Sequence, residues 1–122
     1  MADLLGRRVR LVPVGPAEQE YVFQLERHPA LITRWRGRGM VLSPSEAART
    51  FWAGCAAAFV VVGVDSGPVG CVHLSNFEPV NGCIELSVLG DPRFEGAGLV
   101  VEGAGLAIDY AIDAWPLRKV YF

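Results

Sequence analysis

The sequence predicts an α+β fold, a mostly antiparallel mixed sheet with flanking helices, in one domain spanning residues 1–122. Three observations carry this. The length fits the usual allowance of about 100–200 residues per domain. With 52% hydrophobic residues, 20% charged and a mean hydropathy of +0.32, the chain can build a core and lacks the composition of a disordered segment. The periodic segments run β-α-α-β-β-β-α-β, with no repeat and no linker, an order that packs helices on the faces of a largely antiparallel sheet.

Taken in order, Val9–Pro13 alternates weakly and is closed by Pro13 and Gly15, which suits an opening strand. Pro16 starts a helix whose apolar positions Ala17, Tyr21, Val22 and Leu25 recur at three- and four-residue steps, and which ends near His28-Pro29. Residues 30–42 form an irregular basic loop around Arg34-Trp35-Arg36-Gly37-Arg38. Ser43, Pro44 and Glu46 spell an N-cap, a first-position proline and a capping box. The helix they open turns Ala47, Ala48, Phe51 and Trp52 to the core and runs out over residues 54–57. Residues 59–64 and 69–77 are β-branched and aromatic strands joined by Asp65-Ser66-Gly67-Pro68. Asn81-Gly82 marks the next turn, residues 83–89 the next strand, residues 99–113 the last helix and residues 119–122 the last strand.

Charge and apolar runs exclude several functions. A net charge of −2 and a pI near 5.6 give no reason to expect a nucleic-acid partner. The run 55–64 is far short of the roughly 20 residues that cross a bilayer, and the first residues lack the pattern of a secretory signal, so the expected location is cytoplasmic, away from membranes. Cys55, Cys71 and Cys83 are an odd set without CxxC spacing, read as buried free thiols, and no cluster has metal-ligand spacing.

The informative stretch is Ile84-Glu85-Leu86-Ser87-Val88-Leu89-Gly90-Asp91-Pro92-Arg93-Phe94-Glu95-Gly96-Ala97-Gly98-Leu99. A glycine loop running into a helix presents unpaired N–H groups and the positive end of the helix dipole, an anion site suited to a diphosphate; a plain tight turn has the same spelling. A dinucleotide fingerprint fails, because Val101 stands where its third glycine belongs, and no Gly-Lys-Ser/Thr is present.

The stretch resembles the GNAT family of acyl-CoA-dependent N-acyltransferases, within it the group that acetylates N-terminal alanines of ribosomal proteins. The resemblance runs through residues 9–13, the capped residues 43–47, Val69-Gly70, Ile84-Glu85-Leu86, Pro92-x-Phe94-x-Gly96-x-Gly98, Glu102 and Asp109-Tyr110-Ala111. It implies acetyl-CoA as co-substrate and a small-molecule amine or a protein N-terminus as acceptor. It implies that main-chain N–H groups of the glycine loop and helix hold the CoA pyrophosphate, and that a bulged strand beside them polarises the acyl carbonyl. Leu89 and Gly90 stand at that strand's end, and Arg93, Glu95, Gly96, Ala97, Gly98, Leu99 and Val100 around the pyrophosphate. One alignment puts Arg93 at the family's Arg/Gln position, with Gly96 and Gly98 as its glycines. The preferred one, anchored on Pro92, Phe94, Glu102 and Tyr110, puts Glu95, Gly98 and Val100 there, leaving a carboxylate at the pyrophosphate and a branched side chain in place of Gly or Ala.

Glu85 is the candidate general base, taking the proton of the attacking amine, or else a solvated strand carboxylate. Glu102 is read as a helix-dipole acid and His73 as a sheet histidine or second base. Trp35 and Arg36 are the candidate acceptor contacts, with Arg34 and Arg38 beside them. Relative to the family, the chain is expected to stop after the fifth strand, without the C-terminal strands and their tyrosine acid. That leaves residues 119–122 as a bare edge and the helix underside at Ala107, Ile108 and Ile112 exposed, to be covered in a dimer or other homo-oligomer, by a partner subunit, or by the rest of a longer protein. The competing expectation is a GNAT-like binding or assembly module without acyl-CoA catalysis.

Overall fold

The computed structural model describes residues 3–31 and 42–122. Six strands form one sheet in chain order: β1 (Leu4–Leu5), β2 (Val9–Pro13), β3 (Cys55–Gly63), β4 (Gly67–Glu78), β5 (Cys83–Gly90) and β6 (Lys119–Tyr121). All neighbours are antiparallel except β5 and β6, which pair in parallel through Cys83–Lys119, Ile84–Val120 and Glu85–Tyr121. Helices α1 (Pro16–Glu26) and α2 (Pro44–Trp52) pack on one face and α3 (Leu99–Ala114) on the other. The α+β sheet expected from the sequence is therefore present.

Two cores follow from the period-2 alternation of side chains along a strand. Phe59 and Val61, Val72 and Leu74, and Ile84 and Leu86 join Val9 and Leu11 beneath Ala107 and Ala111 of α3. Ala58 and Val60, Cys71 and Leu89 meet Val22 and Leu25 of α1 and Phe51 of α2 on the reverse face. Because β3 and β4 are covered on both faces, they read as unbroken apolar runs.

Several boundaries differ from expectation. β1 adds an edge strand before Val9, so residues 119–121 form the sixth strand and not the fifth. Residues 55–57, read as the tail of a helix, begin β3 instead: α2 ends at Trp52, Gly54 turns the chain at φ +70°, and Cys55 pairs with Ser75. Local helix preference of an alanine run yields here to ladder pairing. The Ser43 hydroxyl accepts the Glu46 N–H at 3.3 Å, but the Glu46 carboxylate turns forward to Arg49 and the box is not closed from that side. Trp52 lies at the rim, not in the core, its indole N–H donating to Gln19 at 2.8 Å. Of the three thiols only Cys71 is buried, and burial pushes it up from its ordinary value; Cys55 and Cys83 are half-buried.

The underside of α3 is also more covered than expected. Ala107 is fully buried, since it lies one turn beyond Gly103 on the stripe that meets the sheet; Ile108 is half-buried, and only Ile112 is exposed. Gly103 marks the closest approach, because a β-carbon there would stand 2.6 Å from Val61 Cγ2 and 2.8 Å from its Cγ1. Gly105, two residues on, has nothing within 4 Å of that position. Gly105→Ala is therefore expected to stabilise the fold by up to about 1 kcal/mol through helix propensity. Gly103→Ala should destabilise it by about 1–2 kcal/mol, because overpacking against the stiff Val61 outweighs the same gain. Urea denaturation of the two variants checks the opposite signs.

Candidate acyl-transfer site

The end of β5 and the start of α3 enclose a cavity of about 530 Å³. Val88, Leu89, Gly90 and Asp91 form one wall, and Glu95, Gly96, Gly98, Leu99, Val100 and Val101 the other, with Val69, Phe94, Ala30 and Leu31 at its margins. Two segments singled out separately in the sequence, the strand end and the glycine loop, thus share one pocket. Leu89, Gly90, Glu95, Gly96, Gly98, Leu99 and Val100 all line it; Arg93 and Ala97 do not.

The loop geometry explains the glycines. After the single 3-10 turn of Pro92–Phe94, Gly96 and Gly98 take φ of +85° and +75°, the left-handed region that side chains disfavour. Gly98 is the residue preceding α3, and its carbonyl accepts the N–H of Glu102 at 3.2 Å. The first amides of α3 consequently have no acceptor within the helix. Val100, the branched residue where the preferred alignment wants a small one, packs over two strand glycines. A β-carbon on Gly70 would lie 2.8 Å from Val100 Cγ2, one on Gly90 3.5 Å from Cγ1. Gly70 and Gly90 face each other across the β4–β5 ladder, so the sheet leaves the space that Val100 fills.

Backbone polarity along β5 is set by its ladder. Asp91 donates its N–H to Val69 O at 2.9 Å, and register pairs Leu89 with Cys71 and Gly90 with Gly70. N–H groups alternate in direction along a strand, so that of Leu89 turns into the β4 ladder, whereas those of Val88 and Gly90 turn toward the opposite edge. On that edge β6 pairs only as far as Glu85 among the described residues. The bulge that the family resemblance places on this strand is on β4 instead: pairing is regular from Gly70–Gly90 to Ser75–Glu85 and then shifts at Asn76 and Phe77.

Two polar ties hold the cavity walls, and sequence reasoning missed one of them. Asp91, read only as a strand breaker, is 4% exposed and accepts from the Tyr21 hydroxyl of α1 at 2.9 Å and from Arg93 at 2.7 Å. The Arg93 guanidinium holds the Asp91 carboxyl below the usual carboxylate range, while burial and the Asp91 charge push the Tyr21 phenol up. Arg93 is thereby engaged with Asp91, which accounts for its absence from the cavity. The second tie is Glu102, whose carboxylate accepts the N–H groups of Arg8 and Val9 at 2.8 and 3.2 Å and pairs with the Arg8 guanidinium at 3.0 Å. The Arg8 backbone N–H and then its side chain lower the Glu102 carboxyl from its ordinary value. Arg8 also donates to Ala97 O at 3.3 Å, so Glu102, in the first turn of α3 as expected, is also part of a strap between β2 and the glycine loop.

On the α1/α2 face, His73 is fully buried and donates Nε2–H to Phe51 O at 2.7 Å, the satisfied sheet histidine of the two readings. Register sets Glu85 opposite Ser75, and Glu85 accepts from Asn76 Nδ2 at 2.8 Å. The Ser75 hydroxyl is buried and has no hydrogen-bond partner. Glu85 itself is outside the lining of the cavity. The acceptor candidates Trp35 and Arg36, with Arg34 and Arg38, lie outside the described residues.

The sequence profile of the acetyltransferase (GNAT) domain matches residues 8–122. The chain belongs to this family. No curated protein matches the sequence. Among solved structures, the GNAT domain is similar to a spermidine N-acetyltransferase from Vibrio cholerae in complex with CoA and spermine. Identity is 17% over 93% of this chain and 69% of that one, with a TM-score of 0.78. A GCN5-related N-acetyltransferase from Brucella melitensis gives 21%, 98%, 58% and 0.72, and a GNAT-family acetyltransferase from Bacillus anthracis 13%, 98%, 71% and 0.74. At these identities the likeness is one of fold. The GNAT domain is an enzyme domain of the N-acetyltransferase class, and none of the helices among its described residues is long and apolar enough to cross a membrane.

The Tyr21–Asp91 tie carries a pH signature. Because the folded Asp91 carboxyl lies below its unfolded value of about 3.9, its contribution is complete above that pH and is lost as pH falls through the folded value. Tyr21→Phe should cost about 1–2 kcal/mol at pH 7. The gap from wild type should close in strong acid, read from urea midpoints across a pH series.

Proposed function

We propose that this acetyltransferase domain moves the acetyl group of acetyl-CoA to a primary amine by direct attack, with the cavity between β5 and α3 receiving the acyl-CoA. The observation that carries this reading is the meeting of the strand end 88–90 with the amides of the helix start 98–101 in one pocket. The first amides of α3, turned out by Gly98, suit the diphosphate, and the outward N–H groups of Val88 and Gly90 suit the oxyanion of a tetrahedral intermediate. In these roles Gly90 is favoured over Leu89, whose N–H the β4 ladder takes.

Glu85 accepts the proton that the ammonium must lose before it can attack. The neutral nitrogen forms the N–C bond, the C–S bond breaks, and one of the two protons left on nitrogen passes to the CoA thiolate to give the free thiol, the other staying on the amide. Glu85 has its Asn76 hydrogen bond to hold it and the partnerless Ser75 hydroxyl across the ladder, a polar setting for an amine on that face. The fit to CoA is imperfect in one respect: among the described residues, the charged side chains lining the cavity are Asp91 and Glu95, without Arg or Lys.

For the acceptor, the spermidine acetyltransferase fold neighbours support a small polyamine. A peptide beginning with alanine is the rival suggested by the ribosomal-protein resemblance. Association through the β6 edge belongs to the same reading, supported by the exposure of Tyr121 and Phe122. The opposed reading, a binding module without catalysis, rests on the acidic cavity. Calorimetry with acetyl-CoA decides between them: saturable binding supports the enzyme, and no heat at millimolar ligand from folded protein in its native assembly supports the module. Glu85→Gln should lower kcat about 100-fold, with acetyl-CoA affinity unchanged.

Glu95 gives a separate test. Glu95→Gln removes a like charge from the pyrophosphate wall and should tighten CoA binding about threefold, the gain shrinking with salt. Arg93→Ala abolishing binding while Glu95→Gln does nothing would instead restore the alignment that begins at Arg93.

A further inference from the structure

Asn76 is the one described residue other than glycine with positive φ, at +54°. Such a conformation is disfavoured for most side chains and is best tolerated by Asn and Asp among residues that have one. It sits where the β4–β5 register shifts, so a residue that could have continued the ladder is turned out of it. Its backbone N–H donates to Gly54 O at 3.0 Å, and its side-chain Nδ2 donates to Glu85 Oε2 at 2.8 Å. A β-carbon on Gly54 would stand 2.9 Å from Asn76 Oδ1, so the glycine between α2 and β3 leaves room for the amide. The carboxylate fixes the amide's orientation, since a reversed amide would point its oxygen at Glu85.

We propose that Asn76 is the positioning residue of Glu85: the bulge turns its amide onto one carboxylate oxygen, holding the carboxylate on the face it shares with Ser75. The proposal rests on Glu85 being the base, and it explains why a left-handed asparagine, a glycine and a register shift coincide beside that residue. A strained backbone conformation persists where its surroundings over-determine it, and here the Gly54 carbonyl and the Glu85 carboxylate both do so. The other titratable side chains that register sets around Glu85 are Lys119 and Tyr121 on β6, Cys83 on β5, and His73 and Glu78 on β4. Glu78 is engaged with the N–H groups of Val80 and Asn81, and His73 with Phe51 O. Lys119 lies over the Tyr121 ring, 6.0 Å from its centre.

Asn76→Gly is the clean variant, because glycine keeps the left-handed backbone and removes only the amide. Thiol release from acetyl-CoA with spermidine as acceptor, and NMR of the Glu85 side chain, are compared in wild type, Asn76→Gly, Asn76→Asp, Glu85→Gln and the Asn76→Gly/Glu85→Gln double variant. The expected result is a kcat lowered about tenfold by Asn76→Gly at unchanged KM for acetyl-CoA, with no further loss when Glu85→Gln is already present. Asn76→Asp, which sets a like charge beside the carboxylate, should move the acid limb of the pH–rate profile upward. Glu85 should change from one rotamer to an average of several in Asn76→Gly, a readout that needs no acceptor. An unchanged Glu85 rotamer, or an equal loss of kcat from Asn76→Gly with and without Glu85, overturns the proposal. Wild-type kcat in Glu85→Gln overturns the base assignment instead, whatever the rotamers show.

Discussion

The closeness of α3 to the sheet is the constraint on which the rest of the structure depends. At Gly103 the helix backbone lies against Val61 with no room for a β-carbon, and at Val100 it presses into the notch formed by Gly70 and Gly90. Those contacts fix where the helix starts relative to the end of β5. A helix standing a side chain further off would carry its first amides away from the strand end, and the cavity would lose one wall. Apolar burial supplies the force, through Ala107 and Ala111 over Val72, Leu74 and Ile84, while small residues on the helix stripe and the strands set the distance.

Polar ties then lock the loops that packing alone leaves loose. Glu102 reaches from the first turn of α3 to the start of β2, and Arg8 returns the contact to the carbonyl of Ala97. Asp91 does the equivalent on the strand side, joining Tyr21 of α1 to the turn that carries Arg93. Each carboxylate is spent on main-chain or side-chain donors that it fully engages, and its proton affinity falls accordingly. Both ties flank the glycine loop, so the segment with the least apolar contact is pinned at its two ends.

Much of the fold was legible along the chain because its signals are local. Ser43-Pro44 starts a helix through its own hydroxyl and ring, Asn81-Gly82 turns a hairpin, and the β-branched runs pair as strands. The candidate pocket was legible in outline for the same reason: glycines before an apolar helix announce exposed amides. Legibility failed where a residue's state depends on a distant partner. Leu4–Leu5 has no periodicity to read and is a strand only because Leu11 and Arg10 lie beside it. Alanines 56–58 prefer helix in isolation, and become strand because β4 pairs Leu74 with Ala57 and His73 with Ala58, while Val14 donates its N–H to Ala58 O. Asp91 before a proline reads as a breaker until α1 brings Tyr21 to it.

The sequence by itself determined the elements, their order and the family to which the chain belongs, since caps, turns, alternation and the glycine loop act over a few residues. Only the tertiary structure decided that Arg93 turns to Asp91 and not to the cavity, that Val100 fits because two glycines face each other across a ladder, and that Asn76 rather than a neighbour of Glu85 in the chain holds its carboxylate. These are choices between partners far apart in sequence. Their outcome depends on distances of a few tenths of an ångström and on the direction of a hydrogen bond, quantities that exist only once the sheet and its helices are packed.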